Sequence, residues 1–269
     1  MLKTLRGICR DNWEWRGQIW HLALTEMQKE VRGSVLGWVW LILTPAIYIG
    51  LLWLAFAVGL RTVSPIKDVP YVAWLTAGVI PWRFCSGMLT GGSNVYRRYP
   101  YLVNRLRFPL SVISSFYTLA RLIVFIMTMS LIIIVMVVLR VPFSIHLVQL
   151  PLVIVIMFIF WNAWSLMTSP LSAISKDFHA LIRALSAPLF WLSGVFFNID
   201  AVHETWARVI FALNPMAFFV MSVRACFCEH FWIWERQLMT WSFLGIFALV
   251  AMIALRAQKK LSWEISDVL

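Results

Sequence analysis

Residues 94–109 combine arginine and tyrosine in a pattern that suits binding to another protein. The arginines are Arg97, Arg98, Arg105 and Arg107, and the tyrosines are Tyr96, Tyr99 and Tyr101. Guanidinium groups bind carboxylates and phosphates through charge-assisted hydrogen bonds. The segment is long enough for a three-turn helix bounded by prolines, and it suits docking into a cleft on a soluble partner. Retention of positive charge in the cytoplasm would explain the arginines, but not the tyrosines.

Tryptophan is unusually frequent, with 16 in 269 residues. Some lie where a membrane helix meets the headgroup layer, as is common for tryptophan, but others fall deep in the predicted spans. The deep ones are Trp53, Trp82, Trp161, Trp164 and Trp191. Indole rings stack on the apolar faces of sugars and donate an N–H to hydroxyls, so these side chains are candidates for lining a sugar channel. Packing against lipid or neighbouring helices is the alternative.

Two arginines, Arg83 and Arg121, fall inside predicted membrane spans. Charged side chains within a membrane are costly and usually mark a pathway or a binding site. They are candidates for contacting a sugar or a pyrophosphate group. Reaching to the interface or pairing with a backbone carbonyl would also account for them.

The sequence lacks the motifs of several enzyme classes. No glycine is followed by lysine, so the chain has no P-loop for ATP, and the zinc-protease and serine-hydrolase motifs are also missing. The histidines and the four cysteines are scattered, which predicts no metal site and no cofactor in this chain. We therefore expect no catalytic residue.

The positions of the acidic residues bear on the energy source. All 12 aspartates and glutamates lie outside or at the edges of the predicted spans. Carriers driven by protons or sodium usually need a carboxylate near the middle of the membrane, so a secondary transporter is disfavoured. An enzyme with a buried acid/base pair is disfavoured for the same reason.

The amino-acid composition indicates the class of protein to which these residues belong. Hydrophobic residues make up 61% of the chain and charged residues 13%, about half the charged share of soluble domains. This excludes a soluble enzyme, a disordered chain and a disulfide scaffold, and it predicts an integral membrane protein. In a membrane protein, the net charge of +11 is interpreted by the side of the membrane on which the positive residues lie. No nucleic-acid partner is expected.

Six apolar runs approach the ~20 residues that a helix needs to cross a bilayer. They lie at about 35–60, 71–93, 110–139, 147–174, 179–197 and 232–255. With the amino terminus in the cytoplasm, fifteen of the 23 lysines and arginines fall on that side and six on the other. This bias predicts an all-α membrane protein with six transmembrane helices and both termini in the cytoplasm.

Two further elements complete the predicted architecture. Residues 12–32 carry Trp20, Leu24, Met27 and Val31 at helical spacing, which predicts an amphipathic helix in the headgroup layer or a solvated helix packed on a partner. Residues 198–231 are half apolar and interrupted by charged residues, and each helical piece is too short to cross. They predict a re-entrant helical hairpin on the outer side, with a plain loop as the alternative.

Several of these segments resemble the permease subunits of type 2 ABC exporters, particularly those for O-antigen, teichoic acid and capsular polysaccharide. The similar segments are residues 29–45 leading into the first span, Gly78-Val-Ile-Pro-Trp82, Ser175-Lys-Asp-Phe178, Asn214-Pro-Met216 with the downstream Arg224, and the tail 263–269. Lys176 stands where arginine is commoner in the family. Arg83 directly after Pro-Trp and the Cys226-x-Cys228 pair depart from the family pattern.

The resemblance implies a homodimer in which each copy binds a separate ATPase subunit that holds ATP and magnesium, with the conduit between the copies. It implies domains at 1–34 (amphipathic interface helix), 35–256 (transmembrane domain) and 257–269 (cytoplasmic tail). It assigns ATPase coupling to residues 94–109, namely Tyr96, Arg97, Arg98, Tyr99, Tyr101, Asn104 and Arg105, and the outer gate to residues 198–231, namely Asn214, Pro215 and Arg224.

Three functions follow as hypotheses. The first is export of a lipid-linked polysaccharide through a bacterial inner membrane, where the chain contacts membrane lipids and relies on the ATPase for energy. The second is the same machine with a drug or lipid as cargo. The third, from another class, is a membrane-embedded glycan transferase, against which the positions of the acidic residues argue.

Overall fold

The computed structural model of the chain describes residues 2–61, 64–67, 69–104 and 108–261, and these residues form helices and connecting loops without a β-strand. The α-helices are α1 (Leu2–Glu14), α2 (Arg16–Val31), α3 (Val39–Trp53), α4 (Tyr71–Ser93), α5 (Val95–Arg98), α6 (Pro100–Asn104), α7 (Leu110–Val138), α8 (Leu150–Ile174), α9 (Lys176–Trp191), α10 (Thr205–Ala212), α11 (Pro215–Arg224) and α12 (Gln237–Leu261). Short 3₁₀ turns (Ile145–Gln149 and Ile199–Ala201) precede α8 and α10, and π-helical turns (Leu54–Gly59 and Ala225–Glu229) extend α3 and α11.

Four helical stretches among the described residues are long and apolar enough to cross a membrane. They are Val39–Gly59, Leu110–Val138, Ile145–Ile174 and Gln237–Lys259, and the bent pair Thr205–Ala212 and Pro215–Glu229 makes a fifth if it is counted as one span. Four of the six predicted spans correspond to the four long stretches. The other two correspond to α4, which is long but less apolar, and α9, which has only 16 residues. The chain is therefore a multi-pass membrane protein.

Helix α4 occupies the centre of the bundle, where it packs against α3, α7, α8, α9 and α11. Sixteen of its 23 residues are buried, so other helices cover it instead of lipid. It continues through Pro81 without ending. Close packing on α8 is visible at Gly92, whose carbonyl accepts hydrogen bonds from the hydroxyls of Ser165 (2.8 Å) and Ser169 (2.7 Å). Burial of most of its residues explains why this helix is less apolar than the four long stretches.

The amino-terminal region forms two helices, α1 and α2, and α2 packs along α7. The prediction of a helix over 12–32 is confirmed for Arg16–Val31, but its buried face differs from the predicted one. Ile19, Ala23, Glu26 and Met27 are buried, so Met27 of the predicted apolar face is covered, whereas Trp20 of that face is half exposed.

Candidate functional site at the coupling segment and the arginine cavity

The predicted coupling segment, residues 94–109, forms two short helices in its described part instead of the single predicted helix, and we keep the name coupling segment for it. Helix α5 ends at Arg98 and α6 begins at Pro100. Proline lacks a backbone N–H and disfavours helical geometry in the residue before it, and Tyr99 accordingly has φ −126° and ψ 55°. The predicted coupling residue Arg105 and the nearby Arg107 lie outside the described residues, as does the side chain of Asn104.

Two of the three tyrosines anchor this segment to the membrane helices. Tyr96 is fully buried, its hydroxyl donates to the carbonyl of Leu110 (3.3 Å) and accepts from the amide of Gln258 (2.9 Å), and burial raises its pKa to about 12. Tyr99 is 3% exposed and meets the ring of Phe116 edge to face at 5.1 Å. Tyr101, by contrast, is 53% exposed. Of the predicted tyrosines, only Tyr101 offers its ring to a partner.

The two arginines of α5 have different surroundings. Arg97 donates to the carbonyl of Ala173 (3.2 Å), in the last turn of α8, where a cation is favoured by the helix dipole. Arg98 is 43% exposed, and its guanidinium lies 2.8 Å from the carboxylate of Glu26 on α2. Arg97 therefore fastens α5 to α8, whereas Arg98 joins α5 to α2 and keeps part of its surface free.

Glu26, Lys29, Arg98 and Tyr99 form an interface cluster between α2 and the coupling segment. Glu26 is 2% exposed, and its carboxylate also accepts from the ammonium group of Lys29 (3.2 Å). Lys29 lies 5.5 Å from the centre of the Tyr99 ring. Burial by itself would raise the pKa of Glu26, but the Tyr99 hydroxyl and the charges of Arg98 and Lys29 outweigh it and hold the pKa below its usual value. Burial, together with the neighbouring Glu26, raises the pKa of Tyr99.

Tyr117 of α7 connects the interface cluster to Arg121. The buried ring of Tyr117 lies between two guanidinium groups, 5.6 Å from Arg98 and 5.2 Å from Arg121. Its hydroxyl accepts a hydrogen bond from the Nε of Arg121 at 3.2 Å. Arg121 also forms an ion pair with Glu30, one turn beyond Glu26 on α2. Charged and aromatic side chains thus run without interruption from the coupling segment to Arg121.

Arg121 lies on the wall of a cavity of about 310 Å³ that we call the arginine cavity. The lining residues are Glu30, Val31, Trp40, Leu41, Thr44, Pro45, Ile80, Arg83, Phe84, Gly87, Arg121, Val124, Phe125 and Thr128. They come from the end of α2, the first half of α3, the middle of α4 and the middle of α7. The two arginines that the sequence places inside spans therefore share one cavity.

Of the predicted channel tryptophans, Trp161 and Trp164 contact each other, with ring centres 6.1 Å apart, and the others lie elsewhere in the chain. Trp161 is fully buried among aromatic side chains, and the indole of Trp164 donates to the carbonyl of Leu89 (3.3 Å). Trp82 packs on Phe190 with ring centres 4.2 Å apart. Trp53 and Trp191 are 39% and 59% exposed. Two of the five are thus exposed on the surface of the chain.

The predicted outer-gate residues organise the bend between α10 and α11, which are inclined by 91°. The side chain of Asn214 caps α11 by accepting from the backbone N–H of Met216 (3.0 Å), and it donates to the carbonyl of Leu189 (3.3 Å). Pro215 occupies the first turn, where its missing N–H costs nothing. The Asn-Pro pair therefore starts α11 and ties it to α9.

Arg224, at the end of α11, is completely buried. Its guanidinium donates to the carbonyls of Gly194 (2.6 Å) and Val195 (2.5 Å) and lies 3.4 Å from the centre of the Trp74 ring. A Cβ at Gly78 would be 2.2 Å from the Nη2 of Arg224, so only glycine leaves room for the guanidinium there. Arg224 joins α11 to α4 and to the loop after α9.

Glu26, Glu30 and Tyr117 were not among the predicted site residues, and Gly78 was named only within a family-like segment, without a role. Glu26 and Glu30 are spaced one turn apart on α2, and this spacing was available as a signal that both face the same neighbour. Their partners Arg98 and Arg121 are 72 and 91 positions further along, and no local pattern connects residues that far apart.

Comparison with known proteins identifies relatives over most of the chain. The family model described as ABC-2 type transporter matches residues 17–228. The chain is 26% identical over 228 residues to the O-antigen export system permease protein RfbA of Myxococcus xanthus, covering 83% of this chain and 85% of that protein. It is 21% identical over 245 residues to the O-antigen export system permease protein RfbA of Klebsiella pneumoniae, covering 91% and 92%.

Proposed function

Since this chain belongs to the ABC-2 type transporter family, we propose that it is the permease subunit of an exporter for a lipid-linked polysaccharide such as O-antigen or capsule. The observation that carries the proposal is similarity to O-antigen export permeases along nearly the full length of both chains. The membrane would be the bacterial inner membrane. In this role the chain is a transport subunit and not an enzyme.

Energy for export would come from two copies of a cytoplasmic ATPase, which hold ATP and magnesium. The sequence has no P-loop, and the coupling segment offers Arg98 and Tyr101 on its exposed surface. We infer that these two side chains meet the ATPase, while Tyr96, Arg97 and Tyr99 hold the segment against the membrane helices. ATP binding would then move α5, and the interface cluster would pass that movement to α2 and α7.

The proposed topology has six spans, both termini in the cytoplasm and a re-entrant hairpin at 198–231. The bias of positive charge supports the orientation. Residues Met216 to Arg224 of α11 are all buried, which supports a re-entrant helix because non-spanning segments survive at membrane depth when protein covers them. In this topology the arginine cavity opens toward the cytoplasmic half of the membrane.

The conduit would lie between two copies of the chain. Helices α3 and α9 both pack against α4, and the ring of Phe56 after α3 stacks on that of Phe196 after α9, with centres 4.4 Å apart. Both helices are largely uncovered, since only two residues of α3 and only Ile182 of α9 are buried. Trp53 and Trp191 lie on these exposed helices. A second copy packed against these helices would place both indoles at the interface, where they would stack on sugars in transit.

Deletion of the gene tests the proposed function. We expect polysaccharide of normal chain structure to accumulate on its lipid carrier inside the cell and to disappear from the surface. Complementation with the wild-type gene should restore the surface polymer. Absence of polymer would indicate a transferase, and normal surface polymer with loss of drug or lipid efflux would indicate another cargo.

A further inference from the structure

The arginine cavity has the chemistry of a site for an anion that reaches it from the membrane. We propose that it binds the phosphate group of a lipid and that Arg83 and Arg121 contact this phosphate. When phosphate is absent, the carboxylate of Glu30 pairs with Arg121 instead. The inference rests on the proposed function only in that a lipid-linked polysaccharide would be one source of the phosphate. An anionic phospholipid is the other source with the same chemistry.

Arg83 provides the first part of the argument. It lies in the middle of α4 and lines the cavity, with its guanidinium 5.6 Å from the centre of the Tyr48 ring. Within 2–61, 64–67, 69–104 and 108–261 it forms no ion pair. A guanidinium among membrane helices is costly without a counter-charge. A phosphate in the cavity would supply that charge.

Arg121 provides the second part, because its present partner can be exchanged. It is paired with Glu30 at the end of α2, and both side chains are about one quarter exposed. Arginine binds phosphate through two parallel hydrogen bonds, in the same geometry as it binds a carboxylate. A phosphate that enters the cavity could therefore take the place of the Glu30 carboxylate on Arg121.

The rest of the wall suits the chain of a lipid. Trp40, Leu41, Pro45, Ile80, Phe84 and Phe125 contribute an apolar lining beside the two arginines. Ligand sites commonly pair an apolar lining with a few convergent polar groups. A soluble phosphate compound would leave that lining in contact with water, whereas a prenyl or acyl chain would cover it.

Exchange of Glu30 for phosphate would also reach the coupling segment. Arg121 shares the Tyr117 ring with Arg98, and Glu30 lies on the same helix as Glu26, the partner of Arg98. Release of Glu30 would loosen the end of α2 while the interface cluster stays intact. Binding of phosphate in the cavity would thereby alter the packing of the coupling segment, where the ATPase is proposed to bind.

Native mass spectrometry of the full-length permease with its ATPase tests the proposal, with geranylgeranyl pyrophosphate and phosphatidylglycerol as probes. We expect Arg83→Gln to weaken binding at least tenfold, and Arg121→Gln to weaken it similarly. Glu30→Gln should strengthen binding several-fold, since it frees Arg121. Arg6→Gln, an exposed arginine on α1, is the matched control and should bind like the wild type.

The outcomes separate the possibilities. Binding of either lipid that responds to these variants supports the site and identifies its source of phosphate. Unchanged binding in Arg83→Gln, or weakened binding in Glu30→Gln, overturns the proposal, as does binding of inorganic pyrophosphate with neither lipid. Because binding is measured apart from export, a negative result leaves the export function standing, and a failed export test leaves the binding result interpretable.

Discussion

The carboxylate of Glu26 and the guanidinium of Arg98 lie 2.8 Å apart and join the amphipathic helix to the coupling segment. Glu26 is almost completely buried, whereas Arg98 keeps 43% of its side chain exposed. One member of the pair is thus held inside the protein and the other reaches the surface where an ATPase would dock. The ion pair thus connects α2 directly to α5.

A double-mutant cycle at this pair measures how strongly the helices are joined. We expect Glu26→Gln and Arg98→Gln each to lower the free energy of unfolding by about 1–3 kcal/mol, because each leaves a polar group without its charged partner. The double variant should cost less than the sum, with a coupling energy above about 0.5 kcal/mol. Chemical unfolding in detergent provides the measurement.

Glu14→Gln on α1 is the control for that cycle, because Glu14 is exposed and its ion pair with Arg10 is 3.7 Å long. It should leave stability within about 0.5 kcal/mol of the wild type. Additive effects of Glu26→Gln and Arg98→Gln would mean that the two helices are not coupled through this pair.

The interface cluster also predicts a dependence on pH. The pKa of Glu26 lies below its usual 4.5 in the folded protein, so its contribution to stability is complete above that value and is lost as the pH falls toward the folded-state pKa. The difference in melting temperature between the wild type and Glu26→Gln should be constant above about pH 6 and shrink below pH 4.5. A difference that grows on acidification would show the opposite sign of shift.

Replacement of Tyr99 should lower stability, whereas replacement of Tyr101 should weaken binding of the ATPase. Tyr99→Ala removes a buried ring that packs on Phe116, and we expect a loss of about 3–5 kcal/mol of stability. Tyr101→Ala removes an exposed ring and should leave the melting temperature unchanged while weakening co-purification of the ATPase. If Tyr101→Ala binds the ATPase normally, the docking surface lies elsewhere.

Gly78 and Gly87 of α4 provide a matched pair of substitutions. A Cβ at Gly78 would meet the guanidinium of Arg224 at 2.2 Å, whereas a Cβ at Gly87 would have no heavy atom within 4 Å. Gly78→Ala should therefore cost about 1–3 kcal/mol, and Gly87→Ala should be neutral or stabilising by up to about 1 kcal/mol. Thermal unfolding compares the two, and equal effects would contradict the packing of Arg224 on α4.

The apolar runs predicted the long helices well, because a helix that crosses the bilayer in contact with lipid needs about 20 apolar residues. They described α4 less well, since a helix largely covered by protein can carry glycines and Pro81, and its Arg83 lines a cavity. Helix α1 was missed because residues 2–14 contain no long apolar run, although Leu2, Leu5, Ile8 and Cys9 recur at helical spacing. Which face α2 buries is set by its packing along α7, which the composition of the segment does not encode.

The candidate site was predicted in part. The sequence singled out the coupling segment, Arg83 and Arg121, because charges near or inside a membrane are conspicuous. It did not pair Arg121 with Glu30 or Arg98 with Glu26, since each pair joins residues far apart in the chain. It also gave Tyr96, Tyr99 and Tyr101 one role, although burial separates two anchors from one exposed ring.

Transport by the reconstituted protein tests the proposed function most directly. Vesicles holding the permease and its ATPase, loaded with the lipid-linked polysaccharide in the outer leaflet, would be assayed for glycan that becomes protected from an added glycosidase. We predict protection that requires ATP and both subunits, and none with the permease alone. Protection by the permease alone on an ion gradient would contradict the account.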